Sequence, residues 1–165
     1  MIPQIEFATP HDAGEITDIY NYYVKHSTAT FDITLQTQEQ TIQQIQTLAP
    51  TYPYLTYRDS HTNKILAFAY AHPWKPKPVY THTWESTIYT HPDNLGRHIG
   101  TSLYAELIAQ CRARHCKTLI ACITADNKNS IIFHEKFGFK KASHFKHVGI
   151  KFDTLLDIED YQLLL

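Results

Sequence analysis

The sequence predicts a mixed α+β fold, and three observations predict it. Apolar residues recur at helical spacing in well-separated stretches, β-rich runs lie between and after them, and Gly, Pro and Asn clusters punctuate the joins. A strand–helix–strand–helix core with antiparallel strands before and after it accommodates all three. At 165 residues the chain fits a single domain, 1–165, able to bury a core without metal or disulfide staples.

Each element has its own signal. A first helix opens at Thr9, with Pro10 in its first turn and Asp12 three residues past the cap. Ile16, Ile19, Tyr20, Tyr23 and Val24 form its apolar stripe, and it ends near KHSTATF. Thr37 and Gln40 make a capping box for a second helix, in which Ile42, Ile45, Leu48 and Ala49 repeat at helical spacing and the dense glutamines form the wet side. From Tyr54, YLTY, the polar turn RDSHTNK and ILAFAYAH read as two strands of a hairpin. The proline-rich PWKPKP interrupts the sheet and THTWESTIYT resumes it. Ile99, Leu103, Leu107, Ile108 and Cys111 mark a third helix, whose basic end RARHCK suits the negative pole of its dipole. TLIACI is a short uncharged strand, TADNKN a polar turn, and Gly138 in EKFGF announces the end of a fourth helix. Strands around SHFKHVGIKF and TLLDIEDYQLLL close the chain.

Composition excludes several classes. Fifteen Lys+Arg against sixteen Asp+Glu give a net charge of −1, so nothing draws the chain as a whole to a nucleic-acid backbone. The N-terminus MIPQIEF lacks a charged segment followed by an apolar run, and no stretch approaches the roughly 20 apolar residues that span a bilayer. The expectation is a cytosolic protein without a membrane partner. Cys111, Cys116 and Cys122 form no C-x-x-C pair, and an odd count argues for reduced, packing cysteines. Eleven histidines include no H-E-x-x-H, and a strand would put His144 and His147 on opposite faces, so no metal is expected.

The stretch TWESTIYTHPDNLGRHIGTSLY carries the functional signal. A loop that follows a strand and opens a helix aims unpaired backbone N–H groups and the positive end of the helix dipole at one point, which suits an anion such as a pyrophosphate. Neither G-x-x-x-x-G-K-[ST] nor G-x-G-x-x-G is present, so a triphosphatase or dinucleotide loop is not supported.

ESTIYTHPDNLGRHIG, followed by DNKNSIIFHEKFGF, resembles the GNAT family of acetyl-coenzyme A dependent N-acetyltransferases. STATF, TWESTIYTHP, FHEKFGF and VGIKFDTLLD resemble its phosphinothricin N-acetyltransferase branch, from about residue 5 to the C-terminus and in the expected order. The resemblance implies the GNAT fold: a mostly antiparallel central sheet with flanking helices, in which ESTIYT splays from its parallel neighbour TLIACI and coenzyme A lies in the gap. It implies that Ile88, Tyr89 and Thr90 line the pantetheine, that a Tyr89 or Thr90 amide faces the developing oxyanion, and that the pyrophosphate rests on Gly96, Arg97, His98, Ile99, Gly100 and Thr101. Asn127 matches the position that hydrogen-bonds the cofactor arm. The family pattern Gln/Arg-x-x-Gly-x-Gly/Ala is met here by Leu95, His98 and Gly100, so two of three key positions are replaced. The expected consequence is a more restricted approach of the loop to the diphosphate and a weaker grip on coenzyme A.

Acetyl transfer to an amine needs a neutral nitrogen, hence a base for its proton, and the departing thiolate benefits from an acid. By resemblance Glu85 is the base and His134 the acid or a second base. Read as residues alone, the first is a solvent-facing strand glutamate and the second a packed helix histidine. The implied acceptor is the α-amine of a small amino-acid analogue such as phosphinothricin, methionine sulfoximine or methionine sulfone, with acetyl-CoA as co-substrate and direct transfer in a ternary complex. Such acceptors call for fixed positive charge, for which Lys75 and Lys77 in WKPKP are candidates; Thr30 and Phe31 resemble the pocket wall, and Lys151 and Phe152 lie on a late segment near it. The branch usually dimerises, so a homodimer is implied. Two alternatives stay open: another acceptor amine (a polyamine, an aminoglycoside or a protein N-terminus), or a non-catalytic acyl-CoA binding module.

Overall fold

Local hydrogen bonding sets the helix boundaries of this chain. In the computed structural model, which describes residues 4–165, the backbone N–H and the hydroxyl of Thr9 both donate to Asp12 Oδ2, at 2.7 and 3.2 Å, and Asp12 N–H donates to Thr9 O at 2.9 Å. That closes a single 3₁₀ turn, Pro10–Asp12, from which α1 (Ala13–His26) continues. Thr37 and Gln40 form the expected reciprocal box at the start of α2 (Gln38–Leu48), with bonds of 2.8 and 3.2 Å. The N-terminal reading of MIPQIEF falls partly on residues 1–3, outside the described residues.

Seven strands follow the order β1-β2-β3-β4-β5-β7-β6: β1 (Gln4–Phe7), β2 (Tyr54–Arg58), β3 (Ile65–Pro73), β4 (Thr83–Thr90), β5 (Thr118–Thr124), β6 (Lys140–Lys151) and β7 (Thr154–Leu164). With α3 (Ile99–Ala113) and α4 (Lys128–Lys136) this is the mixed α+β architecture that the sequence predicts. β1 is an addition, because its four residues QIEF are half-covered or exposed and offer no clear alternation.

Two compact units divide the described residues. The first comprises residues 4–21, Gln36–His72 and Thr87–His115. Within it β1 pairs antiparallel with β2 and β2 with β3, and α3 buries Leu103, Tyr104, Leu107 and Cys111 completely. Each large apolar side chain so buried contributes about 1.5–3 kcal/mol. The hydroxyls of Thr17 on α1 and Thr41 on α2 meet at 2.6 Å, so the buried polar groups at that helix contact satisfy each other.

The second unit comprises Tyr22–Leu35, Pro73–Ser86 and Cys116–Leu165. β4 is parallel to β5 through Thr83↔Thr118, Trp84↔Leu119 and Glu85↔Ile120, and the parallel register ends there while β5 runs on to Thr124 against antiparallel β7. β7 pairs in turn with β6, and Lys151↔Thr154 leaves a two-residue turn of Phe152 and Asp153. Both residues are left-handed, at φ 51° and 56°, as a primed hairpin turn requires. Phe152, expected on a strand, therefore sits in a turn position that ordinarily selects Asn or Gly.

Candidate functional site

In the first unit, the loop after β4 enters α3 through two left-handed residues, Gly96 at φ 76° and His98 at φ 59°, ψ 10°. A Cβ at Gly96 would meet nothing within 4 Å, so its requirement is conformational and not steric. His98 is the N-cap, and its side chain makes no capping bond. The first bond inside α3 runs from Ser102 N to His98 O at 3.1 Å, so the amides of Ile99, Gly100 and Thr101 precede any intrahelical acceptor. Arg97 is exposed and donates to Asn94 Oδ1 at 3.2 Å. The displaced family residues have a physical reading: imidazole at 98 occupies a left-handed position, where histidine is several-fold commoner than most non-glycine residues, and Leu95 is exposed. Ile88, Tyr89 and Thr90 are half-covered at the end of β4, and the Tyr89 ring packs edge-on to Tyr20 at 5.3 Å.

In the second unit, alternation along β4 buries Trp84 and Ser86 and turns Glu85 to the other face. Register then supplies neighbours that no linear motif announced. Ile120, opposite Glu85, shares a face with Cys122 two residues on, and Cys122 is opposite Asp160 of β7. Cys122 is exposed by surface area, yet desolvation first, then the charges of Glu85 and Asp160, push its thiol up to about 12. It is thus held protonated and is no thiolate nucleophile. Ser143 donates to Asp160 Oδ2 at 2.9 Å. Only the strand pairing could have grouped these residues.

His134 is 5% exposed on α4, edge-on to Phe139 at 5.3 Å. Its Nδ1 lies 2.7 Å from Ser130 O, a carbonyl that can only accept. Nδ1 therefore carries the hydrogen in the neutral ring, and Nε2 is the ring's acceptor. Burial lowers its pKa from 6.5 to about 4, against an opposing effect of the Ser130 bond, so the ring is neutral at physiological pH. Asn127 caps α4, its Oδ1 accepting from Ser130 N at 3.2 Å.

The candidate acceptor residues divide into two groups. Lys75 is exposed with its ammonium 4.3 Å over Trp74 and 5.7 Å from the centre of Tyr80, and Lys77 is exposed on the same loop. Lys151 is buried and donates to Thr30 O at 2.8 Å. The Phe31 ring lies against Gly149, where an added Cβ would clash with it.

Residues 16–139 match the acetyltransferase (GNAT) family. The chain belongs to that family. It is 31% identical to a phosphinothricin N-acetyltransferase of Streptomyces coelicolor over 96% of this chain and 94% of that protein. It is 30% identical to an L-methionine sulfoximine/L-methionine sulfone acetyltransferase of Salmonella typhimurium, over 98% and 94% of the two chains. Among solved structures, a phosphinothricin acetyltransferase from Sinorhizobium meliloti in complex with AcCoA superposes with a TM-score of 0.95, at 28% identity, over 100% of this chain and 89% of that one. As a GNAT member, the chain is an acetyltransferase whose fold agrees with its solved relatives. No helix among the described residues is long and apolar enough to cross a membrane, and no three His, Cys, Asp or Glu residues among them cluster as metal ligands.

Proposed function

We propose that this acetyltransferase moves the acetyl group of acetyl-CoA to the α-amine of a small amino-acid analogue of the phosphinothricin, methionine sulfoximine or methionine sulfone type. The near full-length similarity, at about 30% identity, to enzymes named for those acceptors carries the reading. The two units would act together as one acetyltransferase domain, with a cytoplasmic homodimer as the working form.

The residues present fit the co-substrate. Three amides at the start of α3 precede the first helical bond and no side chain caps them, which suits a diphosphate whose negative charge also favours the helix N-terminus. The reading gives Gly96, Arg97, His98, Ile99, Gly100 and Thr101 to the diphosphate, Ile88, Tyr89 and Thr90 to the pantetheine, and Asn127 to the cofactor arm. Acetyl-CoA supplies the activated thioester. The early end of the parallel ladder at Glu85 and Ile120 supports a splayed strand there.

Glu85 takes one proton from the acceptor ammonium, freeing the nitrogen lone pair to form the new C–N bond; as the C–S bond breaks the nitrogen gives up a second proton, which balances the thiol released. Of the two roles open to His134, a neutral ring with Nε2 as its acceptor favours second base. The protonated Cys122 thiol favours direct transfer without an acyl-enzyme. Thr30, Phe31, Lys75, Lys77, Lys151 and Phe152 form the acceptor side.

Calorimetric titration with acetyl-CoA, followed by thiol-release assays on methionine sulfone and on a polyamine, tests this. Binding with turnover of the sulfone is expected. Turnover of the polyamine alone, or binding without turnover of any amine, would refute it.

A further inference from the structure

Lys151 is the second unit's buried cation, with 4% of its surface exposed. An ammonium has three N–H donors, and the bond that Lys151 makes among the described residues is the one to Thr30 O, at 2.8 Å. Asp32 acts on it through space, an attraction that opposes but does not cancel the desolvation lowering its pKa. A covered charge with donors left over costs folding free energy, and a methionine of similar volume would remove that cost. Retaining the charge points to an anion that arrives from outside.

Its surroundings fit such a visitor. The Phe152 ring lies 5.3 Å from Nζ and is 56% exposed, held there by the left-handed turn that a bulky residue rarely adopts. Next to Thr30, the half-exposed Phe31 ring is seated on the bare backbone of Gly149. One ring lies beside the buried ammonium and a second lies on Gly149, two residues before it on the same strand, which matches an amino acid's carboxylate beside an aliphatic chain. Lys75, the more obvious cation, is already placed over Trp74 and Tyr80.

We propose that the Lys151 ammonium is the fixed cation of the acceptor site and takes the α-carboxylate of the amino-acid acceptor. The inference rests on the acetyltransferase reading above and adds to it the group that selects free acids. The test compares kcat/KM for methionine sulfone and for its carboxamide in the wild type, Lys151→Met and Lys151→Arg, with acetyl-CoA affinity by calorimetry and folding by thermal melting. The wild type should favour the acid by roughly 10- to 100-fold, the range of a charge-assisted hydrogen bond. Lys151→Met should bring that ratio close to one by raising KM for the acid, with acetyl-CoA affinity retained, and Lys151→Arg should keep most of it. Equal losses on acid and amide would mean that Lys151 only pins Thr30, and an acid preference surviving Lys151→Met would be equally fatal; both overturn this inference alone. Should Lys151→Met not fold, Lys151→Gln takes its place: a ratio close to one would support the inference and a surviving acid preference would overturn it. Failure of the wild type on both acceptors would instead bring down the parent reading.

Discussion

The entries to α3 and α4 are built in opposite ways. At α4, Asn127 folds its side chain back onto Ser130 N, so the helix satisfies its own first turn. At α3, the cap is a left-handed histidine whose ring makes no capping bond, and three amides stand ahead of the first helical bond. A capped end serves the fold, whereas an uncapped end leaves donors for something else. The contrast teaches that a missing local stabiliser can be as informative as a present one.

Four experiments break or sharpen that contrast. The largest effect is expected in α4. His134 has a pKa near 4 when folded against 6.5 when exposed, so the unfolded chain alone takes up its proton between those values. Stability is then full above pH 6.5, falls by roughly 3 kcal/mol as the pH drops to 4, and levels off below, a slope that urea titrations should find missing in His134→Gln. At α3, Thr101→Glu puts a carboxylate where the helix dipole welcomes it but a diphosphate does not. Acetyl-CoA affinity should fall by about 100-fold with the melting temperature held or raised; unchanged affinity would break the comparison. Asn127→Ala should cost about 1 kcal/mol of stability by denaturant unfolding, as loss of a cap does. Smallest is His98→Gly, which relieves a left-handed non-glycine residue. A gain of up to about 1 kcal/mol and a few-fold tighter acetyl-CoA binding should follow, visible by melting and calorimetry.

Thr37, Gln40 and the apolar stripes made the helices legible, because caps and periodicity are local and repeat within a few residues. β1 was not legible, since QIEF gains its strand character from pairing with β2 and not from its own pattern. Glu85 and His134 could be named from motif resemblance, but the His134 tautomer depends on a carbonyl one turn back. Cys122 and Asp160 join Glu85 through strand register, which single-sequence reading does not deliver. The sequence offers Lys75 as the candidate cation and Lys151 only as part of a late segment; burial and ring contacts are what separate a solvated cation from a covered one.

The order of the last strands bears on how the protein is made. β5 receives its antiparallel neighbour from β7, which is translated after both α4 and β6. During synthesis the uncharged segment TLIACIT therefore waits with one edge unmet, the condition in which nascent chains pair with the wrong partner. The hairpin of β6 and β7 is thus the part of the second unit that closes the edge of β5 against mispairing.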